Sequence, residues 1–195
     1  YKTYNAQDGE IFTLGHLTIQ VLHTPGHTLE SCCYLLKDEK GKDHALFTGD
    51  TLFVGDVGRP DLSSGNMSSK ELAAILYHTL QTKILPLAND IIVYPAHGPG
   101  SSCGKNLGPN TFSSIGDEKK NNYALQPQTE EQFINAITGG LTDAPVYFSI
   151  NAKINQQGYA KLEKKKKRGL QPLNIETFKK RANRGSIILD TRHAT

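Results

Sequence analysis

Three polar residues, each placed just after an apolar run, are the residues of this chain best suited to chemistry. His27 lies in the turn Thr-Pro-Gly-His-Thr, Asp50 follows Thr-Gly, and His97 lies within Pro-Ala-His-Gly. Strand ends followed by such turns hold reactive side chains rigidly, because the sheet fixes where the turn begins. Two imidazoles and one carboxylate suit iron or zinc, whereas magnesium or calcium would favour oxygen donors alone. The pattern therefore predicts a metal site, with Asp50 as its catalytic carboxylate.

Each of these residues also has an ordinary explanation. Histidine is frequent on exposed turns, so His27 alone favours no function, and Asp50 alone is equally typical of a solvated Gly-Asp turn. A carboxylate between two apolar runs is costly to bury without a partner, and a cation is one such partner. The same design at three strand ends favours a metal site over three unrelated turns.

A second set of polar residues is predicted to bind substrate. Arg59 and Asp61 lie in the compact cluster Gly-Arg-Pro-Asp, and Lys105 lies in the loop of residues 100–108. The Arg59 guanidinium can hold a carboxylate of a bound small molecule, or can pair with Asp61 and brace the turn. Cys103, in the same loop as Lys105, is either a substrate contact or a bystander thiol.

Apolar runs and helix signals predict the elements that position these residues. Strands are predicted at residues 11–14, 17–22, 31–37, 45–47 and 91–94, the first two as a hairpin around Gly15. Capping-box patterns predict helices that begin after Ser68 and Thr129. Asp117 is predicted to cap a short helix that runs to Leu125.

The composition changes after about residue 151. The basic stretch 161–168 is interpreted as a solvated linker, followed by a small helix at residues 174–182 and a buried strand at residues 186–189. The last two resemble the opening of a new α/β unit, so a boundary is predicted near Gly169. The predicted domains are therefore residues 1–168 and 169–195.

The overall composition excludes several classes of protein. The chain has 195 residues, is 37% hydrophobic and carries a net charge of only +3, which argues against a nucleic-acid partner. Three cysteines form no disulfide framework, and no apolar run is long enough for a membrane helix. We expect a cytoplasmic protein with no membrane partner. The chain does not begin with methionine, and its C-terminal end is equally abrupt. We therefore expect it to be a piece of a longer polypeptide.

The motifs around His27, Asp50 and His97, in that order, resemble the second half of a metallo-β-lactamase-fold domain. Residues 55–62, Gly-Asp-Val-Gly-Arg-Pro-Asp-Leu, are similar to persulfide dioxygenases, especially those fused to rhodanese-like domains. Residues 169–192 resemble the entry to such a rhodanese-like domain. The resemblance implies an α/β fold that is the second half of an αββα sandwich, followed by the start of a rhodanese-like α/β domain.

The resemblance also implies a reaction and its cofactor. The expected activity is oxidation of a low-molecular-weight persulfide, such as glutathione persulfide, by dioxygen at iron(II), with His27 and Asp50 as ligands. The family's His-x-His-x-Asp-His signature, which supplies a third ligand, is not in this sequence. This chain alone is therefore expected to be inactive and to hold little or no iron. The absent strands should leave apolar surface for another copy of the chain to cover.

Two alternatives remain open. In a glyoxalase II-type thioester hydrolase two metal ions, such as zinc, would activate a water, with Asp50 bridging them and His97 on the second ion. A catalytically incomplete fragment, whose longer protein serves mainly to carry sulfur, is the other alternative.

Overall fold

The computed structural model describes residues 4–62, 67–99, 101, 103–105, 109–141, 147–159 and 161–191. The chain divides into two compact units, Tyr1–Phe148 and Ser149–Thr195. The boundary predicted near Gly169 lies inside the second unit, and the assignment of that region to a rhodanese-like domain stays a prediction.

A mixed six-stranded sheet organises the first unit. The described strands are β1 Ile11–Leu14, β2 Leu17–His23, β3 Cys32–Lys37, β4 Asp43–Gly49, β5 Leu52–Phe53, β6 Asp56–Val57, β7 Ile92–Pro95 and β8 Ser113–Ser114. The large sheet has the order β1-β2-β3-β4-β7-β8, and β5 pairs with β6. Neighbouring strands are antiparallel except β4 and β7, which run parallel. All five predicted strands are present, and the predicted α/β class is confirmed.

Helix α1, Ser69–Thr79, supplies much of the core on one side of the sheet. Its Leu76 belongs to the same buried cluster as Leu46 of β4 and Val93 of β7. The predicted capping box is present, because Ser68 and Glu71 each bond the backbone N–H of the other. The helix then continues through one wider turn, Leu80–Ile84.

The opposite face of the sheet carries a row of aromatic side chains. Tyr34, Phe47 and Tyr94 are aligned across β3, β4 and β7, and they are 44%, 43% and 40% exposed. Phe47 and Tyr94 stack with ring centroids 5.6 Å apart. Because successive strand residues alternate between faces, this row lies opposite the core row that contains Leu46. Apolar surface was expected from the resemblance, and its covering by a second copy stays a prediction.

Two helices follow β8 in the first unit, α2 Ile115–Asn121 and α3 Glu130–Thr138, with a 3₁₀ turn at Tyr123–Leu125 between them. The predicted cap of α2 was wrong. Ser114 is the N-cap and accepts from the Asp117 N–H, while the Asp117 carboxylate accepts from the Ser114 hydroxyl. A hydroxyl in extended backbone reaches the free amides, and a carboxylate is stabilised in the first turn. The capping box predicted for α3 at Thr129 is present.

Helix α4, Tyr147–Gln157, spans the division between the units, and α5 Leu162–Gly169 and α6 Ile175–Asn183 lie in the second. The basic stretch interpreted as a linker is thus a helix, and its side chains are exposed. The buried strand predicted at residues 186–189 was wrong, because Ile187 is 94% exposed and the segment has no regular structure. A strand is stable only beside a partner, and the described part of this unit provides none. No helix among the described residues is long and apolar enough to cross a bilayer.

Candidate metal centre

The parallel pairing of β4 and β7 brings two of the predicted ligands together. Asp50 follows the last residue of β4, and His97 comes two residues after the end of β7. Ends of parallel strands meet at one edge of the sheet, and the Ala96 N–H donates to the Gly49 carbonyl at 3.0 Å. The loop from β2 to β3 carries His27 to the same edge.

Asp50 lies between the two imidazoles, with one carboxylate oxygen facing each. Its Oδ2 is 3.5 Å from His27 Nε2, and its Oδ1 is 2.6 Å from His97 Nδ1. All three sequence-predicted metal ligands therefore converge, although they come from three separate strand ends. This arrangement allows the carboxylate to serve one ion beside His27, or to bridge two ions.

The orientation of the His27 ring is set by a backbone carbonyl. His27 Nδ1 lies 2.7 Å from the Arg59 carbonyl oxygen, which can only accept, so Nδ1 carries the proton. Nε2 then holds the free lone pair and faces Asp50. Metal-binding histidines commonly hold their second nitrogen in this way, which fixes the tautomer and the ring direction. The Gly-Arg-Pro-Asp cluster thus supports the site through its backbone, a role that its side chains did not indicate.

Two glycines allow the close packing around His27. A Cβ on Gly58 would lie 2.0 Å from the Asp50 carbonyl oxygen and 2.9 Å from the His27 ring. A Cβ on Gly26 would lie 2.4 Å from the Leu76 Cβ of α1, and Gly26 has φ +145°. The turn that carries His27 is therefore packed closely between α1 and the segment at Gly58. A larger residue at either glycine must displace this turn.

Buried threonines tie the site turns to one another. The Thr24 and Thr51 hydroxyls are 2.9 Å apart, and the Thr48 hydroxyl donates to the Leu52 carbonyl at 2.6 Å. The Thr79 hydroxyl of α1 donates to the Pro25 carbonyl at 2.7 Å. Satisfied buried hydroxyls of this kind hold irregular backbone in place without regular pairing. Sequence reasoning missed all of them, because threonine before a turn is too common to indicate a role.

His97 is less constrained than His27. Its side chain is 43% exposed, against 11% for His27, and its ring makes an edge contact with Phe53. An open pocket of about 360 Å³ lies beside His27 and Asp50, with Ser31 and Cys32 in its wall. The site therefore has space for a small ligand next to the buried imidazole.

The predicted substrate-binding residues are engaged by the protein itself. The Arg59 Nε and Nη2 donate to the Asp61 carboxylate at 2.9 and 2.7 Å, and this bonding raises the pKa of Arg59 above its usual range. This is the contact that the bracing interpretation predicts. The Lys105 Nζ donates to the carbonyls of Ala136 and Gly139 at the end of α3, and burial lowers the pKa of Lys105. Substrate roles for these residues stay predictions.

The donor set fits a transition-metal ion better than an alkaline-earth ion. His27 Nε2 and the Asp50 carboxylate offer a nitrogen and an oxygen at one position, and His97 lies at the other carboxylate oxygen. Imidazole nitrogen suits iron and zinc, whereas magnesium and calcium prefer oxygen. The donors that converge here are therefore of the kind that iron and zinc prefer, and the identity of the metal stays a prediction.

The chain is similar to several known proteins. Residues 3–97, which include all three predicted ligands, match the metallo-β-lactamase superfamily. A metallo-β-lactamase from Staphylococcus aureus subsp. aureus COL is 38% identical with a TM-score of 0.73, over 80% of this chain and 45% of that one. ETHE1 from Myxococcus xanthus is 31% identical with a TM-score of 0.62, over 77% of this chain and 58% of that one.

A curated relative is the hydroxyacylglutathione hydrolase GloC from Haemophilus influenzae. It is 34% identical over 123 residues, which are 63% of this chain and 48% of GloC. The chain spans less than half the length of these curated relatives: the aligned part is 48% of GloC and 33% of the probable hydroxyacylglutathione hydrolase glo2 from Schizosaccharomyces pombe.

Proposed function

We propose that this chain is part of a metallo-β-lactamase-superfamily enzyme that oxidises a low-molecular-weight persulfide with dioxygen. Glutathione persulfide, dioxygen and water would give glutathione, sulfite and two protons. The sulfane sulfur is oxidised to sulfite, dioxygen is reduced, and the sulfur–sulfur bond is broken.

The observation that carries this proposal is the position of the Gly-Arg-Pro-Asp cluster. That cluster is the segment that resembles persulfide dioxygenases, and its backbone holds the His27 ring through the Arg59 carbonyl. Gly58 of the same cluster lies against both His27 and the Asp50 backbone. The most specific part of the resemblance is therefore built into the candidate metal centre, and is not a distant surface loop.

The chain's own residues have defined tasks in this proposal. His27 Nε2 and the Asp50 carboxylate would hold iron(II), together with a histidine that this sequence does not contain. Iron(II), when bound, supplies the dioxygen and one-electron chemistry that amino-acid side chains lack. His97 hydrogen-bonds Asp50 Oδ1 and fixes the direction of the carboxylate. The pocket beside Cys32 would admit the sulfur end of the substrate.

Thioester hydrolysis of the glyoxalase II type is a second candidate, and one observation favours it. Asp50 directs one oxygen to each imidazole, as a carboxylate shared by two zinc ions would require. GloC, a hydroxyacylglutathione hydrolase by name, is among the similar proteins. Both candidate reactions act on a sulfur derivative of glutathione, and they differ in whether dioxygen is consumed or the thioester is hydrolysed by water alone.

The two candidates are separated by what the enzyme consumes. The full-length protein that includes this chain is assayed in an oxygen electrode with glutathione persulfide as substrate. A second assay measures cleavage of a hydroxyacylglutathione thioester. Persulfide oxidation predicts oxygen uptake matched by sulfite release, with no thioester cleavage, and a ratio of one dioxygen per sulfite. Thioester cleavage without oxygen uptake would overturn the first proposal in favour of the second.

A further inference from the structure

Asp56 is a buried carboxylate that lies outside the candidate metal centre. It is 1% exposed, and its Oδ1 accepts from the Val57 N–H at 2.8 Å and from the Tyr123 hydroxyl at 3.0 Å. Its Oδ2 accepts from the Lys105 N–H at 2.6 Å. A charge is costly to bury unless donors surround it, so these donors and the carboxylate hold one another in place. Asp56 therefore ties β6 to two segments that are distant in the sequence.

Buried side chains at the end of α2 fix the backbone that carries Asp56. The Asn122 Nδ2 donates to the Asp56 carbonyl at 2.9 Å and to Glu118 Oε2 at 2.8 Å. The same Glu118 oxygen accepts from the Gly55 N–H at 3.0 Å. Glu118 and Asn122 are both buried, and a satisfied polar network of this kind is rigid. The direction of the Asp56 carboxylate is therefore set by the fold itself.

One of the segments that Asp56 holds lies beside the metal centre. The Cys103 sulfur and the ligand atoms of Asp50 and His97 lie within 4.8 Å of one another. His97 is the more exposed of the two site histidines, with 43% of its side chain exposed. A molecule that binds on the His97 side of the centre therefore meets residues 103–105.

Residues 103–105 are held at both ends. The Arg59 N–H donates to the Cys103 carbonyl at 2.9 Å, and the Lys105 N–H donates to Asp56. The first bond joins two backbone groups, whereas the second depends on a side chain. A substitution at Asp56 can therefore loosen one end of the segment and leave the other end bound.

We propose that Asp56 is a positioning residue that holds residues 103–105 as a wall against which the substrate packs, on the His97 side of the metal centre. Asp56 acts through the Lys105 N–H and contacts neither the substrate nor the metal. The inference rests on the proposed function only in placing a substrate at this centre. It applies equally to a persulfide and to a thioester.

Two variants loosen the wall to different degrees. Asp56→Asn is the stronger, because an amide has one oxygen and cannot accept from Lys105 on one side and from Val57 and Tyr123 on the other. Tyr123→Phe is the milder, because it removes one donor and leaves the carboxylate charged. Burial, and secondarily the charge of Asp56, raises the pKa of the Tyr123 hydroxyl, which therefore stays a donor at neutral pH.

Tyr77 provides the matched control. It is partly buried against the same hydrophobic cluster as Tyr123, and its hydroxyl also donates at 3.0 Å. The acceptor is the Gln128 carbonyl and not Asp56. Tyr77→Phe therefore removes an equivalent bond from the core without touching the wall.

The first measurement is amide hydrogen exchange in the full-length protein that includes this chain, followed by mass spectrometry. Asp56→Asn should speed exchange in the peptide that carries Lys105 by about 10-fold or more, because a bond to a charged acceptor is lost. Exchange in the peptide that carries β7 should change by less than about twofold, since the core stays closed. Tyr123→Phe should give a smaller change in the same direction, and Tyr77→Phe should give none at Lys105.

The second measurement is steady-state kinetics with whichever of the two substrates the protein turns over. Asp56→Asn should raise KM by about threefold or more and change kcat by less than about twofold, because a displaced wall weakens binding of substrate and transition state alike. Bound metal, measured by elemental analysis, should be retained. Tyr77→Phe should leave KM unchanged.

Three results would overturn the proposal. One is unchanged exchange at Lys105 in Asp56→Asn, and another is faster exchange there with an unchanged KM. The third is an equal acceleration in the β7 peptide, which would make Asp56 a general support of the fold. If Asp56→Asn does not fold, Tyr123→Phe compared with Tyr77→Phe decides by the same criteria. Exchange requires no turnover, so its outcome is separate from the success or failure of the proposed reaction.

Discussion

The two histidines that face Asp50 are held by very different surroundings. His27 has a buried ring, and its Nδ1 is bound to a backbone carbonyl of the Gly-Arg-Pro-Asp segment. His97 has a side chain that is 43% exposed and is bound through Nδ1 to Asp50 itself. A ligand that is locked before the metal arrives loses little entropy on binding, whereas an exposed one can change partner. We therefore call the His27 side of the site the fixed half and the His97 side the adaptable half.

Removal of the shared carboxylate should have the largest effect. In the proposed enzyme, Asp50→Ala should remove most of the bound metal and lower kcat/KM by more than about 100-fold, because a methyl group cannot offset the charge of the ion. His97→Ala is the paired variant, and it should keep most metal and activity if a single ion lies on the His27 side. Metal content by elemental analysis and kcat/KM are measured for both. Equal losses in the two variants would contradict a single-ion site and support the two-metal hydrolase.

A methyl group added to the fixed half should be the next most damaging change. Gly58→Ala puts a Cβ 2.0 Å from the Asp50 carbonyl oxygen, so the segment must move away from His27. Overpacking of this kind costs about 1–3 kcal/mol and sometimes more. We expect a clear fall in Tm together with loss of metal.

Gly98→Ala is the control for Gly58→Ala on the adaptable half. Gly98 follows His97, and a Cβ there meets nothing within 4 Å. This variant should change the free energy of unfolding by less than about 0.5 kcal/mol and should keep the metal. A Gly98 variant as damaged as the Gly58 variant would show that the two halves are equally rigid.

The surroundings of the two histidines were also not equally predictable from the sequence. The convergence of His27, Asp50 and His97 was predictable because each follows an apolar run at a glycine turn, and the helix starts were predictable from Ser68 and Thr129. The hydrogen bond that orients the His27 ring was not predictable, because its acceptor is the backbone carbonyl of Arg59, and every residue type has a backbone carbonyl. The strand at residues 186–189 was wrong because its apolar pattern says nothing about whether a partner strand lies beside it.

Replacement of Arg59 tests whether its side chain serves the fixed half or the substrate. Arg59→Ala leaves the Asp61 carboxylate without two charge-assisted hydrogen bonds, and loss of such a partner costs about 1–3 kcal/mol in total. We expect a lower Tm, reported by thermal unfolding, with KM for the persulfide changed less than twofold. Asp61→Asn is the companion variant and should lower Tm in the same direction. A raised KM with an unchanged Tm would instead assign Arg59 to the carboxylate of the substrate.

Lys105 should give the smallest effect, although it lies two residues from Cys103 in a loop near the site. Its ammonium bonds the Ala136 carbonyl at 2.9 Å and also the Gly139 carbonyl, so it satisfies acceptors that the end of α3 leaves free. Lys105→Met keeps most of the apolar side chain and removes the ammonium together with these bonds, which predicts a loss of about 1 kcal/mol in the free energy of unfolding. Urea titration measures that loss, with the exposed Lys40→Met as the control that should show none. A large rise in KM with unchanged stability would contradict this and show that the ammonium leaves α3 to meet the substrate, which would make the Lys105 loop part of the adaptable half.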